Sequence, residues 1–446
     1  MSTLAAPAPG APATLLEHLR RLPWWLGVLG VWGASRLVTT GILLSFAARQ
    51  GENAWTGASP GYLDFARLWD AHWYYIIAAV GYPDELPRDE NGLTGESAWA
   101  FMPVYPGLVR LGMALTGDVS AQGFAAVAVT ISVLSSLAAA LLFFVLARRW
   151  LSAGTAMLAT ALFCAAPLSP ILQVAYAEAL HLALLLAALV LVLDRRWVAL
   201  PFVVTVMALT RPSGLAFALL LVLVWLWRWI RRADDPFPTI ERVRLGLAAA
   251  IAGLAGLAWP GIVALSTGEL LGYIDTELAW RRPYLGDVEL LPFTPWWQGA
   301  QWWAGQQWWP GPALPGLPWS AGEVLGPVIL IAVLGLAAAA FALPSMRRMP
   351  IELRFWIVAY SLYLLAVFFP QSSTFRLLVP LAPVLGAIAL GIASVGSGRV
   401  GGRWSPRVAR ALRIVLTVLA LAIGIAGQVV WVHLGWWVDG YDWTPP

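Results

Sequence analysis

The sequence predicts an all-α polytopic membrane protein with about eleven transmembrane helices and two large outer loops that contain interfacial helices. Three observations lead there. Of the 446 residues, 60% are hydrophobic and 12% are charged, whereas an ordinary soluble domain carries roughly 25% charged residues, so the chain cannot coat a water-facing globule. Its apolar content is equally incompatible with disorder. The apolar residues fall into runs near the ~20 residues that a spanning helix needs, and the charges between those runs change sign from one connection to the next.

The runs place spans at 24–46, 121–147, 153–172, 174–193, 197–211, 213–230, 245–266, 319–343, 353–370, 376–394 and 411–434. The first follows Arg20 and Arg21 and is too long for a signal-peptide core, so it reads as a signal anchor. Before it lies a cytoplasmic tail, 1–22, and behind it a single membrane domain, 23–446. All 28 basic residues are arginine. They cluster at Arg148 and Arg149, at Arg195 and Arg196, through Arg228 to Arg244, at Arg347 and Arg348, and from Arg399 to Arg413, in alternate connections that the positive-inside rule assigns to the cytoplasm. The other connections are acidic. Residues 47–98 hold eight Asp or Glu against three Arg, and 267–318 hold five against two. The first outer loop is therefore 47–120 and the second 267–318, with the N-terminus cytoplasmic and the C-terminus outside the plasma membrane. The formal charge of +4 reflects this topology and implies no nucleic-acid partner.

Residues 99–117 are apolar, but Pro103, Pro106 and Arg110 argue against a twelfth span and for an outer re-entrant or interfacial helix. The pairs Trp296–Trp297, Trp302–Trp303 and Trp308–Trp309 recur every six residues, a step that aligns no helical face and suits an irregular interfacial belt. Cys164 is a single cysteine inside an apolar run, which excludes a disulfide framework or a cysteine metal site.

The stretch 61–80 reads as one amphipathic helix at the outer surface. Leu68, Trp69, Trp73, Ile76 and Val80 would enter the lipid boundary, with Asp64, Arg67 and Tyr74 on a wetter side. Asp70 stands at the edge between these faces. Two readings fit it: a partly desolvated carboxylate tuned as a general base, or a solvated acid paired with Arg67 at i−3. Arg36 falls in the middle of the first span, where an unpaired charge costs several kcal/mol, so it needs a partner or a cavity. Glu178, near the outer part of its span, suits a structural ion pair with Arg36, a direct sugar contact being the alternative.

The string Trp69-Asp70-Ala71-His72-Trp73-Tyr74, followed by Gly81-Tyr82-Pro83 and Phe101-Met102-Pro103-Val104-Tyr105-Pro106, resembles the WDxxWY, GYP and FFPLYP series of the PIG-V family of mannosyltransferases, which belong to the C-type glycosyltransferase (GT-C) superfamily. Ala175-Tyr176-Ala177-Glu178, Thr210-Arg211-Pro212-Ser213-Gly214, Trp280-Arg281-Arg282-Pro283 and Phe375-Arg376-Leu377-Leu378-Val379-Pro380 are similar to later family segments in the same order, so the resemblance runs from about residue 35 to 385. Ala71-His72, Met102 and Ala177 depart from the family pattern without removing the aspartate.

The resemblance implies a GT-C-like fold and transfer of mannose, with inversion, from a polyprenyl-phosphate-mannose donor to a lipid or glycan acceptor hydroxyl at the outer face of the bilayer. Asp70 is then the general base. Arg211 and Arg376, at outer ends of spans where no topological rule asks for arginine, become receivers of the phosphate leaving group. Trp69, Tyr105, Arg281 and Glu178 become substrate-binding candidates, and His72 either an interfacial polar residue or a substrate contact. Four histidines are too dispersed for a metal cage, so no metal or other cofactor is expected, a divalent ion on Asp70 and other outer acids being the alternative. A rival reading comes from the broken pair 197–211 and 213–230, since such breaks hold substrates in transporters and flippases; no internal repeat accompanies it, and the acids concentrate in the two outer loops. A third reading is a non-catalytic partner in envelope assembly.

Overall fold

A computed structural model describes residues 23–287, 289–396 and 405–438, so the expected tail and the terminal DGYDWTPP lie outside the described residues. In chain order the helices are α1 (Trp24–Ala47), α2 (Tyr62–Ala66), α3 (Ala71–Val80), α4 (Val104–Thr116), α5 (Ala121–Ala147), α6 (Ala153–Cys164), α7 (Glu178–Leu193), α8 (Leu200–Ala208) and α9 (Gly214–Ile230). They continue with α10 (Thr239–Thr267), α11 (Gly272–Ala279), α12 (Arg282–Leu285), α13 (Pro295–Trp302), α14 (Ala321–Ala340), α15 (Pro344–Arg347), α16 (Ile351–Val367), α17 (Pro383–Ala393) and α18 (Pro406–Trp431). Among the described residues there is no β-strand. The chain is an all-α, multi-pass membrane protein.

Five helices are long and apolar enough to cross a bilayer alone: α1, α5, α10, α14 and α18 with its extension to Trp436. The other expected spans hold shorter or broken helices. Helix α6 stops at Cys164 and the chain continues past Pro167 into a 3₁₀ segment, Ser169–Gln173, before α7 begins. Residues Ser372–Leu381 and Pro383–Ala393 meet at a bend of 67°. Prolines cause these breaks because each removes an N–H donor and clashes with the preceding turn. Backbone freed in this way is tolerated at membrane depth only when neighbouring protein covers it. Here α7 lies against α5 and is largely buried, and α9 packs one face on α10 and α16.

The outer-loop helices differ in part from expectation. Helix α4 has 13 residues and is about 20 Å long at 1.5 Å per residue, too short to cross a hydrocarbon core of about 30 Å. It buries Tyr105, Val109 and Met113, exposes Leu108, Leu111 and Leu115, and ends at Gly117 with φ 72°. The stretch 61–80 is not one helix. It breaks between α2 and α3, and Trp69 adopts φ 60°. Leu68, Trp69 and Tyr74 are buried in protein rather than facing lipid or water. Tertiary partners override the periodicity, since the Trp69 indole N–H donates to the Trp436 carbonyl at 2.9 Å and its ring packs on Trp55 with centroids 4.7 Å apart.

Helices α9 and α10 cross closely. A Cβ placed on Gly256 would meet the backbone nitrogen of Leu215 at 2.6 Å, whereas one on Gly246 meets nothing within 4 Å. Alanine adds about 1 kcal/mol of helix propensity over glycine, but overpacking costs about 1–3 kcal/mol. Thermal unfolding in detergent should therefore show Gly256→Ala destabilised and Gly246→Ala neutral or stabilised.

Candidate active site

Four charged side chains converge where helices end. Asp70 is the residue before α3, Glu178 is the first residue of α7, Arg211 lies in the turn between α8 and α9, and Arg376 opens the 3₁₀ segment before the α17 bend. Arg376 Nη2 lies 2.5 Å from Asp70 Oδ2. Arg211 Nη1 lies 2.7 Å from Glu178 Oε1, and Arg376 Nη1 stands 3.7 Å from the same oxygen. The result is a chain of alternating sign, Asp70–Arg376–Glu178–Arg211, with Asp70, Glu178 and Arg376 buried. Two carboxylates balance two guanidiniums, which is the condition for burying them.

The surrounding shell is aromatic. The Asp70 N–H donates to the Tyr176 hydroxyl at 3.0 Å, and Arg376 lies over the Tyr176 ring, 5.4 Å from its centroid. Tyr74 packs edge-on against Tyr105 and Tyr176. A small pocket is lined by Glu178, His181, Arg211, Tyr360 and Arg376, with Leu377, Val379 and Pro380. His181 Nε2 shares a hydrogen bond of 2.9 Å with Ser213 Oγ. Glu178 Oε2 and Arg376 Nε and Nη1 are buried with no hydrogen-bond partner. Unspent donors and acceptors on charged groups are the features a polar ligand engages.

The two outer loops are clipped together beside this cluster. Arg282 pairs with Asp89 at 2.8 Å and Arg88 with Glu269 at 2.6 Å. Two loop carboxyls sense the site: desolvation and the Asp70 charge push Glu96 up, and burial pushes Glu277 up against the opposing pull of Tyr273, Arg281 and Arg211. Sequence reasoning counted Glu96 and Glu277 only as topological charge. It also passed over Tyr360, whose only signal was a place in an apolar run.

Of the expected site residues, Asp70, Glu178, Arg211 and Arg376 come together. His72 is exposed beside Trp73. The Tyr105 hydroxyl is spent on the Ala128 carbonyl and on Ser132, each at 3.1 Å. Arg281 donates to the Val367 carbonyl. Trp69 adjoins Asp70 in sequence, but its indole serves the Trp436 carbonyl.

Two expected pairings are replaced. Arg67 pairs with Asp64 at 2.8 Å instead of Asp70, because the break at 67–70 takes Asp70 off the shared helical face. Arg36 does not pair with Glu178. Its guanidinium donates to the Ser169 carbonyl and hydroxyl at 2.9 and 2.8 Å and to the Cys164 carbonyl at 3.1 Å. The C-terminus of α6 supplies partial negative charge there, and Glu178 is held by Arg211. Among the described residues no group of three or more His, Cys, Asp or Glu is placed to hold a metal ion.

No protein-family model matches the chain, and a sequence comparison with curated proteins found no match. Among solved structures it is similar to the Archaeoglobus fulgidus oligosaccharyltransferase tethered with an acceptor peptide containing the NVT sequon, with TM-score 0.47 and 13% identity over 90% of this chain and 55% of that one. It is also similar to the archaeal oligosaccharyltransferase AglB from Archaeoglobus fulgidus in complex with an inhibitory peptide and a dolichol-phosphate, with TM-score 0.49, 13% identity and coverage of 90% and 55%. The chain thus spans about half the length of the solved structures it matches.

Removing one member of the charge chain tests its integrity. Arg376→Ala leaves Asp70 and Glu178 buried with only Arg211, on the far side of Glu178, to balance the two charges, and breaking a buried pair costs about 3–5 kcal/mol. Adding Asp70→Asn to that variant removes the surplus charge. Unfolding curves of the two single variants and the double variant should give a coupling of at least about 1 kcal/mol; strict additivity would show that the pair is not energetically linked.

Proposed function

We propose that this protein is a GT-C-like membrane glycosyltransferase. It transfers a sugar, mannose on the motif resemblance, from a polyprenyl-phosphate-linked donor to a lipid or glycan hydroxyl at the outer face of the plasma membrane, with its N-terminus in the cytoplasm and its C-terminus outside. The observation that carries this reading is the Asp70–Arg376 contact of 2.5 Å inside a cluster whose second arginine, Arg211, lies on the far side of Glu178. An inverting displacement requires one base for the acceptor proton and a cation for the departing phosphate. Asp70 fills the first role, and Arg376 with Arg211 the second.

The pairing suggests how the roles are coordinated. While Arg376 holds Asp70 at 2.5 Å, the carboxylate oxygen is occupied by the guanidinium and does not face an acceptor hydroxyl. A donor phosphate competes for the same guanidinium through the unpartnered Nη1 and Nε. Arg376 then turns toward the phosphate, and Asp70 is released to accept the proton of the acceptor hydroxyl as the new C–O bond forms and the donor C–O bond breaks. Glu178 keeps Arg211 and Arg376 apart and remains available to sugar hydroxyls through Oε2. Residues His72, Trp69, Tyr105 and Arg281 then act around the site: Trp69 and Tyr105 hold its frame, Arg281 anchors the second outer loop, and exposed His72 stands where an acceptor approaches.

The test supplies purified protein with radiolabelled polyprenyl-phosphate-mannose and a lipid extract of its host. Label should enter a lipid or glycan product, and Asp70→Asn should reduce the rate about 10²–10⁴-fold, the usual worth of a positioned base. Parental transfer by that variant would remove Asp70 from the role. Arg211→Ala should raise the donor concentration needed for half-maximal rate. Label that crosses vesicle membranes chemically unchanged would instead favour a transporter or flippase.

A further inference from the structure

We infer that the turn end of α9 and α10 binds an anionic phospholipid, with its phosphate on Arg232 and Arg242 and an acyl chain in the adjoining apolar groove. Arginines and acids crowd this corner, and the acids are all engaged. Glu241 takes Arg228 and accepts from the Trp197 indole at 2.9 Å. Asp235 is held by Arg195 at 2.7 Å and Arg228 at 3.4 Å, and Asp234 by Arg231 at 3.1 Å. Among the described residues no carboxylate lies within salt-bridge distance of Arg232 or Arg242.

These two cations share one indole. Arg232 lies 4.5 Å and Arg242 4.7 Å from the Trp229 ring centroid. Arg232 Nη1 donates to the Trp229 carbonyl at 2.7 Å and Arg242 Nε to the Phe237 carbonyl at 2.6 Å, so both guanidiniums are fixed by backbone while like charges are drawn to one ring. Topology accounts for arginine on this side of the bundle. It does not account for two of them fixed on a single tryptophan without a counter-ion, and a phosphate supplies the missing charge with matching geometry.

The groove begins one helical turn away. Trp225 stacks on Trp229 at 5.4 Å and 8° and donates to the Arg242 carbonyl at 3.2 Å. With Val222, Leu226, Gly246, Ala249 and Ala250 it lines a depression of about 360 Å³. Every lining residue is apolar, and Val222 and Leu226 are exposed. An aliphatic chain fits such a wall, and the interfacial tryptophan marks the depth where chain and headgroup meet. Charge complementarity selects a phosphate, and continuity with the apolar groove selects a lipid as its source over a soluble anion.

The full chain is placed in nanodiscs of phosphatidylcholine with a minor fraction of phosphatidylglycerol, and retained lipid is read by native mass spectrometry and by titration with labelled phosphatidylglycerol. The parent should retain phosphatidylglycerol in preference to phosphatidylcholine. Arg232→Ala/Arg242→Ala should weaken it at least tenfold, and Gly246→Leu, whose Cβ meets no atom within 4 Å, should weaken it by filling the groove. Arg347→Ala/Arg348→Ala, at an exposed arginine pair elsewhere, should leave binding unchanged. Equal retention of the two lipids, parental binding by either groove variant, or equal loss in the control pair would overturn the inference. So would displacement by glycerol phosphate, which would identify a soluble anion site.

Discussion

Charge neutrality inside a low-dielectric bundle is the constraint on which this structure turns. Asp70, Arg376, Glu178 and Arg211 are drawn from four separate places along the chain, and each costs several kcal/mol if buried alone. They are affordable only together. The chain of contacts at 2.5, 3.7 and 2.7 Å therefore fixes where α3, α7, the α8–α9 turn and the segment before α17 must meet. Every one of these residues sits at a helix end or break, where the side chain is not committed to a lipid-facing helical surface.

Breaks have their own cost, because they leave carbonyls without intrahelical partners. Tryptophan meets it repeatedly. The Trp356 indole donates to the Pro380 carbonyl at 2.8 Å, Trp303 to Pro370 at 2.7 Å, and Trp436 to Phe65 at 2.9 Å. An indole is a donor without an acceptor on a large apolar body, so it satisfies a carbonyl and fills space without introducing a second polar need. That gives these tryptophans a structural purpose beyond an interfacial belt, and the paired tryptophans of the second outer loop divide the same way: Trp296 and Trp303 donate inward to carbonyls, while Trp297, Trp308 and Trp309 stay exposed. Arg36 follows the same logic in reverse, as a buried cation satisfied by the Cys164 carbonyl at the end of α6 and the Ser169 carbonyl of the 3₁₀ segment beyond the break.

The two ends of the bundle use arginine differently. At the end that holds Asp70, Arg376, Glu178 and Arg211, guanidiniums are paired with carboxylates, from which the proposed donor phosphate would draw them. At the α9–α10 corner, Arg232 and Arg242 rest on an indole and have no carboxylate to give up. The first arrangement suits a ligand that binds and leaves, and the second a resident lipid.

Composition and run length by themselves determined that the chain is a helical membrane protein, since a chain with 12% charged residues has no soluble alternative. The positions of Arg211 and Arg376 at span ends were also legible, Pro212 and Gly214 marking the break beside Arg211, whereas the helix break beside Asp70 was not, because 61–80 carries a continuous helical pattern with no proline or glycine beyond Gly61. Nor was pairing. Periodicity offered Arg67 to Asp70 and membrane depth offered Glu178 to Arg36, yet both assignments depend on where distant helices stop. Only the tertiary structure decided that Arg376, some three hundred residues from Asp70, is its partner. The reason is physical: hydrophobic pattern is set by each segment's own surface, whereas the neutralisation of a buried charge is settled among segments that have no local record of one another.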